Sequence, residues 1–291
     1  MVSPLVQRRE SLKESPVKDA VVALPFLKWA GGKGRLLSQY AGLFPKDFEN
    51  YFEPFLGGGA VYFHLSQNRK FEKAYISDYN PELTNCYKMV QKEPKKLLAL
   101  LSKMRNDKHL FYKERARDVS LLSDLERAAR LIFLNRTCFN GLYRVNSQGQ
   151  FNVPFGKYKN PRIADAGNLM AASAVLQNAS IHTGSFENLV SKAKSGDFVY
   201  FDPPYQPVSR TASFTSYTKN SFNLADQARL AQLARRLQER GVLVMVSNSD
   251  TAEIRDLYHG FDLTIVKAAR AINCRADGRG VVNELVLRSY R

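Results

Sequence analysis

Cysteine is scarce in this chain: Cys86, Cys138 and Cys274 stand far apart, with no CxxC pair among them. That excludes a disulfide framework and a structural zinc site, and leaves reduced, buried thiols as the expectation. The four histidines form no ligand pair, so no metal is expected either. Long apolar runs are also missing. The longest, such as Gly241–Val246, fall far short of the ~20 residues of a membrane span, and Arg8, Arg9 and Glu10 stand where a secretory leader would turn apolar. A cytoplasmic protein without membrane association is expected. Acidic residues are outnumbered, 27 against 43 Lys and Arg, for a net charge of +16. A cationic field of that size attracts polyanions, and with no membrane anchor the first candidate is nucleic acid. With 44% hydrophobic and 24% charged residues over 291 positions, the chain has the composition of a globular protein rather than a disordered one.

Residues 1–24 mix charge, Ser and Pro without periodicity and read as a loose tail. From Pro25 to about Asn85 apolar runs alternate with glycine clusters. Tyr51–Phe55 is predicted as a strand, Gly57–Gly59 as a tight turn, Ala60–Asn68 as a short helix and Ala74–Ser77 as a strand ending at Asp78. This strand–turn–helix–strand unit is the repeating piece of an α/β sheet. Between Cys86 and Leu169 the pattern turns to amphipathic helices, with Asp124 as a helix cap before Leu125, Ala128, Ala129, Ile132 and Phe133. A hairpin is predicted with arms Leu142–Val145 and Gln150–Val153. Strand–helix alternation then returns with strand Phe198–Phe201, helix Leu224–Glu239, strand Val242–Ser247 and final strands Leu263–Val266 and Glu284–Arg288 about a turn at Asp277–Gly280.

Three constellations carry chemistry. In Glu53-Pro54-Phe55-Leu56-Gly57-Gly58-Gly59, glycines directly after a strand let a ligand approach the backbone and the N–H groups of the next helix. The dinucleotide fingerprint would need glycine at Tyr62, which is absent. Asp78, at the end of the next strand, is placed to accept ribose hydroxyls. Together these point to a nucleoside-containing cofactor without saying which, against the alternative of a structural turn with a capping acid. Lys28-Trp29-Ala30-Gly31-Gly32-Lys33-Gly34-Arg35 lacks the spacing of a phosphate loop, and Gly34 stands where Ser or Thr would hold magnesium. The most informative word is Asp202-Pro203-Pro204-Tyr205. An exocyclic amino group is a poor nucleophile because its lone pair is delocalised into the ring. Asp202 can accept one N–H and the Pro203 carbonyl the other, which favours a pyramidal nitrogen. The prolines fix those acceptors, and Tyr205 offers a face on which a base can stack.

In this order, Trp29–Lys33, Phe55-x-Gly57-x-Gly59, the hairpin and Asp202–Tyr205 resemble the DNA adenine methylase family. The resemblance spans Pro25 to Tyr290 and includes the long words Phe26–Lys33 and Phe151–Gly156, and Asn135-Arg136 followed by Asn140-Gly141-Leu142 and Arg144. It implies an α/β fold: a Rossmann-like S-adenosylmethionine-dependent methyltransferase sheet formed by 25–85 and 170–291. A mostly helical target-recognition domain, 86–169, is inserted in it and carries the hairpin. The implied reaction is methylation of adenine N6 in double-stranded DNA, typically at GATC. Apart from the resemblance, a monomer is expected, and no metal, because a sulfonium is already a good electrophile. Trp29, Lys33, Phe55, Gly57, Gly59, Asp78, Ser185, Phe186 and Asp202 would contact S-adenosylmethionine. Lys28, Leu142, Arg144 and Pro154 would contact bases, Phe139 would enter the opened stack, and Asn140 and Asn146 would touch DNA. On its own, Arg144 on a basic surface reads as a phosphate contact. Two other classes share parts of this pattern: a methyltransferase of RNA or a small amine, and a DNA-binding protein that kept the fold without catalysis. The hairpin word opposes the first, and the intact Asp202–Tyr205 and Phe55–Gly59 oppose the second.

Overall fold

The computed structural model describes residues 22–207, 222–269 and 281–291. Strand β1 (Tyr51–Glu53) is buried at every position, as a strand covered on both faces must be. It stops two residues earlier than the expected Tyr51–Phe55, because Pro54 has no N–H to continue the ladder. Gly57 and Gly59 take left-handed φ values of 49° and 71°, which turn the chain into helix α2 (Ala60–Asn68). The short helix α1 (Leu37–Tyr40) precedes them. Strand β2 (Ala74–Asp78) then lies parallel to β1, with Ala74 opposite Tyr51.

Helices α3 (Pro81–Lys92), α4 (Pro94–Leu101), α5 (Lys108–Ala116), α6 (Asp124–Thr137) and α7 (Ala166–Leu176) follow. Asn80 starts α3 by accepting the N–H groups of Glu82 and Leu83, ahead of a proline with no donor to strand. The cap of α6 is Ser123 rather than the expected Asp124. Ser123 and Glu126 form a reciprocal capping box, and Asp124 occupies the first helical position, where its charge still favours the helix N-terminus. The hairpin arms are not regular strands. They meet at one bridge, Val145 to Phe151, flanked by main-chain bonds of 2.9 Å from Asn146 to Gln150 and from Asn152 to Arg144. Two residues of the expected tail, Ala23 and Leu24, are held by hydrogen bonds. Ala23 is buried and exchanges bonds with the Gln67 amide, and Leu24 with that of Asn168. Residues 1–21, Cys274 and the expected Asp277–Gly280 turn lie outside the described residues.

The chain continues through β3 (Ala179–Thr183), α8 (Phe186–Val190), β4 (Phe198–Phe201), α9 (Leu224–Glu239), β5 (Leu243–Ser249), α10 (Ala252–Leu257), β6 (Asp262–Ala269) and β7 (Val281–Arg288). The described strands form a seven-stranded sheet in the order β3-β2-β1-β4-β5-β7-β6. Its first five members are parallel, and β7 runs antiparallel to both β5 and β6. Alternation along the central strands splits the core in two. Tyr51, Phe198 and Tyr200 pack with α2–α7 on one face, while Phe52, Val199 and Phe201 pack with α8–α10 on the other. The helical stretch shares the first of these cores, through Leu97, Phe111 and Phe133, rather than closing on one of its own. Chain order reverses between β1 and β4. In a Rossmann-like sheet that reversal opens a crevice at the carboxyl ends of the two strands, and Pro54 and Asp202 stand there.

Candidate active site

A cavity of about 1030 Å³ fills this crevice. On the β1 side, Gly57 donates its N–H to Asp78 Oδ2 and Asn80 donates to Oδ1, both at 3.0 Å. Each oxygen thus accepts one backbone bond, and a carboxylate oxygen can accept two, so Asp78 braces the turn and can still take a ribose hydroxyl. Burial pushes its carboxyl above the usual range, against the pull of those N–H groups. Gly59 is confined from the other side, since a Cβ there would lie 2.7 Å from the Tyr87 hydroxyl. Phe55 stacks on Phe186 with centroids 5.4 Å apart, and Ser185 immediately precedes the helix that Phe186 begins, its side chain making no capping bond. Phe222, which the sequence did not single out, closes on Phe55 edge-on at 5.7 Å. Trp29 and Lys33 line the same space.

On the β4 side, Lys33 Nζ lies 2.7 Å from Asp202 Oδ1 and 2.8 Å from Oδ2, and it also donates to the Gly31 carbonyl. Ser247, fully buried on β5, donates to Asp202 Oδ1 at 2.8 Å. The carboxylate is therefore fixed by two partners before any substrate arrives. Pro203 is buried while Pro204 is exposed, and the Pro204 carbonyl accepts from Gln227 at 2.8 Å. Gln227 is itself held by Asn248, whose Oδ1 accepts the Gln206 N–H. Tyr205 donates its hydroxyl to Glu284 on β7 at 2.7 Å, and Lys33 Nζ stands 4.8 Å from its ring centre. Sequence reasoning missed Ser247, Gln227, Asn248 and Glu284. The polar run Ser247-Asn248-Ser249 ending an apolar strand beside β4 was the available signal.

Glu53 lines the cavity floor almost wholly buried, and accepts the Tyr51 hydroxyl at 2.9 Å. Burial pushes its carboxyl well above the usual value near 4.5, with Tyr51 pulling it partly back. The folded state then holds this proton where the unfolded chain has released it. Stability from this group is full below about pH 4.5 and is lost as pH rises toward the folded value. Glu53→Gln should therefore gain in unfolding free energy relative to wild type from pH 5 upward, by at most about 1.4 kcal/mol per pH unit. Denaturant titrations at several pH values measure this, and parallel profiles for the two proteins would contradict it.

The residues expected at DNA lie outside the cavity. Phe139 is half-exposed and donates its N–H to the Pro154 carbonyl, so these two residues and Asn140, at φ 54°, share one surface. Arg144 is exposed. Its Nε and Nη2 donate to the side chain and carbonyl of Asn152, which orients the guanidinium and leaves the Nη1 donors unused there. Leu142 is half-buried against the core. Asn146 spends its side chain on the turn, accepting from the N–H groups of Gln148 and Gln150. Lys28 Nζ sits 4.1 Å over the Tyr158 ring, in a second cavity of about 410 Å³ that also takes in Arg136, Lys159 and Arg162.

By its sheet order and crevice the protein is a Rossmann-like α/β protein with a ligand cavity at the switch point of its sheet. The family model of the D12 class N6 adenine-specific DNA methyltransferases matches residues 29–272, and the chain belongs to that family. It is similar to the type II methyltransferase M.MjaIII of Methanocaldococcus jannaschii, at 45% identity over 91% of this chain and 99% of the relative. The type II methyltransferase M1.LlaDCHI of Lactococcus lactis subsp. cremoris is 42% identical over 94% of this chain and 98% of its own length. The DNA adenine methylase of Vibrio cholerae is 38% identical over 90% and 94%. Among the described residues no helix is long and apolar enough to cross a membrane.

Proposed function

We propose that this adenine-specific DNA methyltransferase uses S-adenosylmethionine to methylate adenine N6 within GATC in double-stranded DNA, with the target base flipped into the Asp202–Tyr205 pocket. The supporting observation is that a strand-end acid braced on a glycine turn, Asp78, and an acid held ready by Lys33 and Ser247, Asp202, open into one cavity of about 1030 Å³. Pockets for small ligands span roughly 300–1,000 Å³, so there is room for a nucleoside cofactor beside a base. Residues 25–85 and 170–291 would form the catalytic part and 86–169 the target-recognition part of a monomer.

The donor set fits that cofactor. Asp78 would accept the ribose hydroxyls, Phe55 and Phe186 would face the adenine, Trp29 and Lys33 would border it, and Gly57 and Gly59 would leave room for it. When bound, its sulfonium supplies an electrophilic methyl group. Asp202 accepts one N–H of the target amine and the Pro203 carbonyl the other, which turns the N6 lone pair toward the methyl. Tyr205, tethered by Glu284, presents its ring to the base. The new N–C bond would replace the S–C bond, releasing the neutral thioether S-adenosylhomocysteine, and the cationic amine would then lose its proton to water, so no strongly shifted general base is needed. Alignment supplies much of the rate, and extrusion of the adenine costs a few kcal/mol. Lys28, Leu142, Arg144 and Pro154 would read bases in the major groove, where an arginine on guanine O6 and N7 contributes about 1–3 kcal/mol of discrimination. Phe139 would fill the gap left in the stack, beside DNA contacts from Asn140 and Asn146.

The test is transfer of labelled methyl from S-adenosylmethionine to paired duplexes, one with GATC and one with the site scrambled, at fixed salt because phosphate contacts make affinity salt-dependent. Label on adenine N6 in the GATC duplex alone is expected. Label in both overturns the assigned specificity, and label in neither overturns the substrate.

A further inference from the structure

Lys28 and Trp29 lie between the cavity and the hairpin, and several contacts fix them there. Trp29 is the sole tryptophan of the chain. One side of its indole occupies the space above the glycine turn. A Cβ on Gly57 would come 2.9 Å from Trp29 Cδ1, and one on Gly58 would come 3.3 Å from Trp29 Cβ. The indole also stacks on Tyr143, with centroids 5.1 Å apart and planes 25° apart. Tyr143 sits in the hairpin between Leu142 and Arg144, and its ring meets Phe151 of the opposite arm at 5.8 Å. Beneath this stack the fully buried Asn135 holds both segments at once. Its amide pairs with the N–H and carbonyl of Lys28, each at 2.8 Å, and donates to the Gly141 carbonyl at 3.0 Å. Gly141 in turn lies so close that a Cβ there would come 2.4 Å from the Lys28 side chain.

We propose that Tyr143 is a positioning residue that couples the two binding events: through its stack on Trp29, the hairpin and the glycine turn set each other's geometry, so that duplex and cofactor strengthen one another's binding. The proposal rests on the assignment above of DNA to the hairpin and of the cofactor to the turn. Close-packed side chains transmit displacement rather than absorb it. A hairpin drawn toward DNA carries Tyr143 with it, and Trp29 follows or resists. The indole lies on Gly57, whose N–H is the donor that Asp78 holds. A ligand that fixes the turn thus fixes Tyr143 and, one residue on, Arg144. By linkage the effect is reciprocal.

The experiment measures duplex affinity by fluorescence anisotropy, with and without saturating S-adenosylhomocysteine, for wild type, Tyr143→Phe and Tyr143→Leu. A ratio of about fivefold or more is expected for wild type, since couplings of this kind commonly fall in that range or above. Tyr143→Phe keeps the ring and should keep the ratio, whereas Tyr143→Leu keeps apolar bulk without the aromatic face and should bring it near one. A merely structural loss would weaken both affinities and leave the ratio alone. Trp29 supplies a second readout. Excited at the red edge of the indole band, its emission should respond to the duplex in wild type and Tyr143→Phe but not in Tyr143→Leu, while responding to S-adenosylhomocysteine in all three. An unchanged ratio in Tyr143→Leu, or a ratio of one in wild type, overturns the proposal. A wild-type protein that binds neither ligand overturns the functional assignment instead.

Discussion

Asp202→Ala is expected to lower single-turnover methyl transfer by about 10²–10³-fold, the range seen when one preorganised polar group is removed from a reacting centre. The same change should also cost stability. Lys33 is nearly buried, its Nζ contacts both Asp202 oxygens, and Ser247 donates to one of them. Removing the carboxylate leaves a buried ammonium without its counter-charge, a loss of about 3–5 kcal/mol in comparable pairs. Activity and stability can be separated by a second variant. Replacing both partners with apolar side chains, Lys33→Met with Asp202→Leu, removes the orphaned charge and should recover most of the thermal midpoint while transfer stays at least as low as in Asp202→Ala. Calorimetry and labelled-methyl transfer on the three proteins measure this. Near-normal turnover in Asp202→Ala would take the carboxylate out of the chemistry. Failure of the double variant to regain stability would show that the pair is not what destabilises the single one.

The elements whose signals are local were the ones legible in the sequence. Ala60–Asn68 and Leu224–Glu239 have the bounds expected of them, because a glycine turn opens the first and an asparagine cap with a closing Gly241 frames the second. Phe198–Phe201 was legible as a run too short and too apolar for anything but a buried strand. The residues flagged for cofactor and chemistry line one cavity, because motif words after strands fall at strand ends and the sheet gathers those ends at its reversal point. What escaped was long-range. Ser247 and Glu284 reach Asp202 and Tyr205 from strands far along the chain, and Gln227 reaches the Pro204 carbonyl from the inner face of α9. None of these contacts leaves a periodic trace. The hairpin arms were read as strands from their turn residues, yet they pair at a single bridge, and Leu142 at the start of the first arm packs against the core instead.

Gly156→Ala is expected to destabilise the protein by about 2–3 kcal/mol and to weaken duplex binding, for a reason the sequence does not announce. Gly156 has no left-handed backbone to explain it. Its N–H donates to the Thr137 carbonyl at 2.8 Å, and a Cβ would meet the Cys138 carbonyl oxygen at 2.7 Å and the Thr137 oxygen at 2.9 Å. These atoms are all main chain at the end of α6, so no rotamer change can make room. The segment must move away, straining the neighbouring bond from Phe139 N–H to the Pro154 carbonyl and displacing the surface that carries Phe139, Asn140 and Pro154. Overpacking of this kind costs about 1–3 kcal/mol before the strained hydrogen bonds are added. Gly149, at the tip of the same hairpin, makes the opposite control. Its φ is +77° and nothing lies within 4 Å of a Cβ built on it. Gly149→Ala should therefore cost only the backbone strain of a left-handed alanine, about 1–2 kcal/mol, and that strain is confined to an exposed tip. Denaturant midpoints and anisotropy with a GATC duplex compare the two. Equal losses in stability, or duplex affinity that falls only for Gly149→Ala, would mean that contact with the end of α6 is not what demands glycine at 156.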